Sequence, residues 1–110
     1  MTTVIIEKSS DTYKSITCMG HAGRKRLFFE KDLVCASISV LVLNTLNGLD
    51  EFTDTDMEVT SNEETGFIRC VFMGTLSDEA IVLVKTMIHG LEQISLQYGR
   101  KYCNVEFKEV

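Results

Sequence analysis

The sequence predicts an α+β domain in which two helices pack on a mostly antiparallel sheet, in the order β-β-α-β-β-α-β. Three observations support this prediction. Short segments near both ends of the chain alternate apolar and polar residues, as half-buried strands do. Two longer segments rich in apolar residues end at glycines, as helices often do. Residues typical of turns separate neighbouring strands. The 110 residues are predicted to form a single domain, residues 1–110.

Five segments have the pattern of strands. Val4–Glu7 and Tyr13–Cys18 are predicted to form the first pair, and a serine- and aspartate-rich turn lies between them. Met57–Ser61 and Phe67–Met73 are predicted to form a hairpin. The last strand is expected within Tyr102–Val110, where apolar and polar residues alternate.

Two segments are predicted to be helical. Asp32 is expected to cap the first helix, which runs from Leu33 to about Asn47 and ends at Gly48. Apolar residues cover this helix nearly all round, which is typical of a helix that is covered on more than one side. Ser77 is expected to cap the second helix, which ends at Gly99.

Composition narrows the class of protein. The formal net charge of −5 disfavours a dedicated nucleic-acid binder, because such proteins gain most of their affinity by neutralising phosphates. The longest weakly polar run, Leu33–Leu43, is too short to span a bilayer, and no signal peptide is expected at the start of the chain. The four cysteines form no C-x-x-C pair. We therefore expect a cytoplasmic protein with free thiols and no membrane association.

One long loop carries the most suggestive chemistry. Gly20–Lys31 has no clean periodicity. At its start, Gly20 precedes His21, and Gly23 follows it by two positions. If Asp32 is the N-cap, Cys35 is the third residue of the helix, where the helix dipole favours a thiolate over a thiol. A histidine returned to this point by the loop could complete a nucleophilic pair. Composition and spacing alone equally allow Cys35 to be a core thiol and His21 a surface residue.

Two motifs decide between these interpretations. Gly20-His21-Ala22-Gly23, followed by Asp32-Leu33-Val34-Cys35-Ala36-Ser37-Ile38-Ser39, resembles the ribosomal-processing cysteine protease (Prp) family. That family has a GHAG motif on a loop and a D-[IL]-V-C-A-x-x-S motif at the start of a helix. The resemblance extends to Asn47-Gly48-Leu49 and to the inferred order of elements along the whole chain.

The resemblance implies roles for individual residues. Cys35 would be the nucleophile and His21 the general base, while Asp32 would orient the histidine or cap the helix. The expected substrate-binding residues are Gly20, Ala22, Gly23 and Ser39. The substrate would be the N-terminal extension of a large-subunit ribosomal protein, number twenty-seven, cut after an aromatic residue. A homodimer is implied, and neither a cofactor nor a metal is expected.

Other features of the sequence suggest functions different from that of a protease. Cys18 and Arg24 fit the C-x5-R pattern of phosphatases, although the residues that usually assist that chemistry are missing. The sequence supports a zinc site even less, because no pair of cysteine or histidine residues has the spacing of zinc ligands. The non-enzymatic alternative is a dimeric binding or regulatory module of ribosome assembly, supported by the apolar first helix.

Two smaller features have simpler explanations. His89 is expected on the surface of the second helix, and Cys70 and Cys103 are expected to pack in the core. The apolar triplet Leu27-Phe28-Phe29 is expected either to anchor the loop on the first helix or to cover an empty active site.

Overall fold

The computed structural model describes residues 2–20 and 29–110, and within them the predicted order of elements is confirmed. The strands are β1 (Thr2–Ser9), β2 (Thr12–Met19), β3 (Met57–Asn62), β4 (Phe67–Phe72) and β5 (Cys103–Glu109). The helices are α1 (Phe29–Phe52) and α2 (Asp78–Tyr98). The fold is therefore α+β, as the alternation and capping patterns predict.

The described strands form one mixed, mostly antiparallel sheet in the order β3-β4-β2-β1-β5. β1 pairs with β2 in antiparallel fashion, so that Val4 lies opposite Cys18. β4 pairs antiparallel with both β2 and β3. β5 returns at the end of the chain to lie parallel to β1, where Thr2 is in register with Cys103. The first and last strands of the sequence are thus neighbours in the sheet.

The core lies between the two helices and the sheet face that carries Val4 and Ile6. Burial in β1 alternates, so that Thr2, Val4 and Ile6 are buried while the residues between them are only partly so. This is the period expected of a strand with one covered face. The helices contribute buried side chains to the same cluster, namely Val34, Ile38, Val42, Leu46 and Leu49 from α1, and Ala80, Val84, Met87, Ile88 and Leu91 from α2.

The ends of α2 confirm the capping prediction. The Ser77 side chain accepts a hydrogen bond from the backbone N–H of Ala80 at 3.2 Å. At the other end, Gly99 has a φ of 103° and its N–H donates to the carbonyl oxygen of Ser95 at 2.9 Å. A positive φ of this kind is accessible to glycine at little cost, which explains why the helix ends there.

The predicted bounds of α1 are wrong at both ends. The helix begins at Phe29, so Asp32 lies in its first turn and is not its N-cap. It also continues through Gly48 to Phe52. Leu49 is fully buried, and this burial outweighs the weak helix propensity of one glycine.

The longer α1 also corrects the estimate of its apolar length. Leu33–Phe52 is long and apolar enough to cross a membrane by length and composition alone, and it is the one such segment in the described residues. The core helix of a folded domain meets the same criteria. Here one face of the segment packs in the shared core, where Ile38, Val42 and Leu49 are fully buried.

Candidate active site

Cys35 lies on α1, on the face that packs against the sheet. Its side chain is 2% exposed, and its sulfur lies 3.3 Å from the hydroxyl oxygen of Thr2 at the start of β1. Because α1 begins at Phe29, Cys35 is the seventh residue of the helix rather than the third. The effects of unpaired amides and of the helix dipole are strongest in the first turn. The sulfur lies beyond that turn. The predicted stabilisation of a thiolate by the helix terminus is correspondingly weaker.

The other three cysteines are buried in the core. Burial is the main factor that raises the pKa of Cys18, Cys70 and Cys103, each to about 11. The neighbouring thiols of Cys35 and Cys103 add to the effect at Cys18, and that of Cys35 adds to it at Cys103. These thiols stay protonated at neutral pH, so they are poor nucleophiles.

This chemistry argues against the phosphatase interpretation. A C-x5-R phosphatase needs a thiolate at Cys18, whose side chain is 1% exposed and whose pKa is raised to about 11, chiefly by burial. Its second signature residue, Arg24, lies outside the described residues. Cys18 is best explained as a core thiol that packs opposite Val4.

The GHAG motif is described only at its first residue. Gly20 directly follows β2 and has a φ of 85°, a conformation that residues with a side chain rarely adopt. The backbone thus turns sharply at the glycine that the sequence placed before the histidine. His21, Ala22 and Gly23 lie outside the described residues, as do Leu27 and Phe28 of the apolar triplet. Phe29, its third residue, opens α1.

Ser39 lies one helical turn after Cys35 and lines a cavity of about 250 Å³. Leu43 continues this wall one turn further along α1. The opposite wall comes from the β3–β4 hairpin, including Asn62 and Phe67. The cavity is smaller than a typical ligand site of roughly 300–1,000 Å³, and its size suits a single large side chain.

Other residues singled out in the sequence lie away from Cys35 and the cavity or have structural roles. His89 is exposed on α2, and Ser77 acts as a helix cap, both as predicted. Cys70 and Cys103 are fully buried, in agreement with a packing role. Among residues 2–20 and 29–110, no group of three or more histidine, cysteine or acidic side chains could hold a metal ion.

Thr2 contacts Cys35, although the sequence did not predict this contact. It is separated from Cys35 by 33 positions, and only the folded sheet brings the two together. The one signal in the sequence is that Thr2 occupies the alternating position shared with Val4 and Ile6, so its hydroxyl points toward the core.

Comparison with solved structures shows the same fold in bacterial proteins. The Prp ribosomal processing protease of S. aureus, solved in complex with a substrate peptide, superimposes with a TM-score of 0.83 at 22% identity, and the alignment covers 100% of both chains. SMU.848 of Streptococcus mutans gives a TM-score of 0.85 at 17% identity, covering 100% of this chain and 99% of the other. A search of curated proteins gave no significant match.

The class of protein follows from a family model, which is one of cysteine proteases. The family model described as cysteine protease Prp matches residues 1–103, which is nearly the whole chain and includes both motifs. The chain belongs to the Prp cysteine protease family. Membership in a protease family favours the enzyme over the non-catalytic module.

Proposed function

We propose that this protein is a cysteine endopeptidase that removes the N-terminal extension of a large-subunit ribosomal protein, number twenty-seven, by cutting after an aromatic residue. The observation that carries the proposal is the match of the Prp family model across residues 1–103, which span the GHAG motif and the cysteine motif together. The substrate bound to the S. aureus relative, a peptide, is consistent with this proposal.

Cys35 is the proposed nucleophile. It is the cysteine of the family motif, and it lies one helical turn from Ser39, which lines the cavity. The other three are core thiols with raised pKa values. His21, the proposed general base, takes the thiol proton. The resulting thiolate attacks the backbone carbonyl carbon of the aromatic residue.

The remaining steps return the enzyme to its starting state. As the peptide C–N bond breaks, His21 gives its proton to the departing amine, which becomes the new N-terminus of the ribosomal protein. Water then hydrolyses the thioester and releases the extension with a free carboxyl group. Asp32, in the first turn of α1, is proposed to orient His21, because the helix start at Phe29 leaves it no role as an N-cap.

The cavity beside Ser39 is the proposed site for one apolar side chain of the substrate. Ser39 and Leu43 form one wall, only one helical turn from Cys35, and the β3–β4 hairpin forms the other. An extended substrate chain that passes Cys35 would bring a neighbouring side chain within reach of this cavity. Gly20, Ala22 and Gly23 are proposed to flank the same chain.

We also propose a homodimer in the cytoplasm. α1 leaves apolar side chains on its outer face, where Val40 is 66% and Leu33 48% exposed. Ala36, Val40 and Leu41 line a groove there together with Ile94 of α2. A second copy would cover this face. All four cysteines are free thiols, which suits a reducing compartment.

The substrate assignment is tested with a synthetic peptide that spans the N-terminal extension. Purified protein is incubated with this peptide and with a second peptide in which the aromatic residue before the cut is replaced by serine. We expect one cut, located by mass spectrometry directly after the aromatic residue, and no cut in the serine peptide. Equal cleavage of both peptides, or cleavage elsewhere, would refute the substrate assignment.

A further inference from the structure

The hydroxyl of Thr2 and the thiol of Cys35 form an isolated polar pair inside an apolar region. Their Oγ1 and Sγ atoms are 3.3 Å apart, and each residue is only 2% exposed. The other buried side chains on this face of β1 are those of Val4 and Ile6, both fully apolar. A polar side chain at such a position is unusual unless it has a partner, and the Cys35 sulfur is that partner.

The backbone holds Thr2 firmly in place. Its N–H donates to the carbonyl oxygen of Tyr102 at 3.0 Å, just before β5 begins. Thr2 is in register with Cys103 on that strand, and the next residue, Thr3, pairs with Met19 on β2. The hydroxyl is thus presented to α1 from the interior of the sheet, and threonine has few side-chain rotamers to choose from.

The direction of the hydrogen bond depends on the state of the sulfur. Between a neutral thiol and a hydroxyl, either atom can be the donor. A thiolate can only accept, so once the thiol loses its proton the Thr2 hydroxyl must donate. A hydrogen bond to the charged form stabilises that form, and charge-assisted bonds are about twice as strong as neutral ones.

The two other thiols near this sulfur carry no charge at neutral pH. Cys18 on β2 and Cys103 on β5 are close enough for their thiols to interact with that of Cys35, but the pKa of each is raised to about 11, chiefly by burial. On α1 itself, Asp32 precedes Cys35 by three positions, and the helix N-terminus is more than one turn away. Thr2 is therefore the described residue placed to donate a hydrogen bond to a thiolate here.

We infer that Thr2 is a positioning residue for the Cys35 thiolate, which it orients and stabilises by donating its hydroxyl hydrogen to the sulfur. This inference rests on the proposed function, in which Cys35 is the nucleophile. It assigns a role in the reaction to a residue outside both sequence motifs. A purely structural role for Thr2 predicts something different, because valine has nearly the same shape and would fill the same space without the hydroxyl.

The test compares Thr2→Val with Thr2→Ser and, as a control, Thr3→Val. Thr3 is the next residue of β1 and points to the opposite face of the sheet, so its substitution removes a hydroxyl far from Cys35. The rate of Cys35 alkylation by iodoacetamide is measured from neutral to alkaline pH, with the modified cysteine identified by peptide mass spectrometry. Alkylation at high pH, where the thiol ionises without help, reports access to the sulfur.

We expect Thr2→Val to slow alkylation of Cys35 roughly three- to tenfold at neutral pH. The rates of the variant and the wild type should converge at high pH. Thr2→Ser, which keeps the hydroxyl, and Thr3→Val should follow the wild-type profile. If Thr2→Val gives the wild-type profile across the whole pH range, or slows alkylation by the same factor at every pH, the inference is wrong.

Two further comparisons keep the test decisive. If Thr2→Val does not fold, Thr2→Ser and Thr2→Ala provide the same contrast, because both lose the methyl group and only alanine loses the hydroxyl. The serine variant should then react faster at neutral pH, and equal rates would refute the inference. Cleavage of the extension peptide by Cys35→Ala would instead refute the proposed function. Loss of that cleavage together with a wild-type profile for Thr2→Val would refute the inference alone.

Discussion

Ser39 lies one helical turn after Cys35 on α1, so the buried thiol of Cys35 and the cavity that Ser39 lines are close neighbours along the helix. Cys35 is 2% exposed and faces β1, whereas Ser39 is half-buried and lines the cavity of about 250 Å³ beneath the β3–β4 hairpin. A substrate that places its scissile bond at the sulfur would therefore have a side-chain site within one turn of the same helix.

Filling this cavity should weaken substrate binding. We expect Ser39→Leu to raise the KM for the extension peptide about tenfold or more while kcat falls much less, because the substitution removes a binding site and leaves the reacting groups in place. Steady-state kinetics measure both constants. Thr86→Leu, which adds similar bulk on the exposed surface of α2, should leave KM unchanged. An unchanged KM for Ser39→Leu would mean that the cavity is not a substrate site.

The four cysteines should differ sharply in reactivity. The pKa of about 11 at Cys18, Cys70 and Cys103 leaves roughly one thiol in ten thousand ionised at pH 7. Cys35 should therefore be alkylated at least about tenfold faster than the other three in the native protein. Peptide mass spectrometry after timed exposure to iodoacetamide distinguishes the sites. Equal rates at all four, or modification of Cys18 first, would contradict the assignment of Cys35.

Glu7 makes the stability of the fold depend on pH. The Ser15 hydroxyl donates to its carboxylate, and Arg69 lies 3.6 Å away, on the polar face of the sheet. The bond from Ser15 is the largest factor that holds the pKa of Glu7 below its ordinary value. Burial opposes it, and the charge of Arg69 adds to the lowering. A lowered folded-state pKa stabilises the fold above the unfolded-state pKa, and this contribution is lost as pH falls through the folded-state value.

We expect Glu7→Gln to lower the free energy of unfolding by about 1 kcal/mol at pH 7, because the pair with Arg69 is partly exposed and adds little to the hydrogen bond. The difference from the wild type should shrink as the solution is acidified. Urea unfolding at several pH values measures it. Glu58→Gln, on the exposed strand β3, removes the same charge and should have little effect. A difference that stays constant down to acidic pH would show that Glu7 acts through packing.

The outer face of α1 should mediate dimerisation. The wild-type protein is expected to sediment as a dimer at micromolar concentration, and Val40→Asp should shift it to the monomer, because a carboxylate cannot be buried there without a partner. Val82 on α2 is similarly exposed, at 59% against 66% for Val40, so Val82→Asp is the matched control and should remain a dimer. A monomeric wild-type protein would refute this assignment.

The sequence predicted the fold well where the signals were local. Ser77 and Gly99 fixed the ends of α2, since a side-chain acceptor and a residue with positive φ act at their own positions. α1 was less well predicted, because competing effects decide its ends. Asp32 resembles an N-cap, but an acidic residue is equally favourable inside the first turn, and the burial of Leu49 carries the helix past Gly48.

Features that depend on distant parts of the chain could not be predicted. The parallel pairing of β1 with β5 joins residues about one hundred positions apart, and nothing in either segment specifies its partner. The contact between Thr2 and Cys35 likewise joins distant residues, 33 positions apart, and depends on how α1 packs on the sheet. The sequence did predict, without this information, that Cys35 lies on the first helix.

The most direct test of the central claim is cleavage of the extension peptide by Cys35→Ala beside Cys18→Ser, with both variants shown to be folded by circular dichroism. If Cys35 supplies the attacking thiolate, Cys35→Ala should lose all detectable cleavage while its unfolding midpoint stays close to that of the wild type. Cys18→Ser should retain activity, because Cys18 serves only the core. Cleavage by a folded Cys35→Ala variant at the wild-type rate would contradict the account.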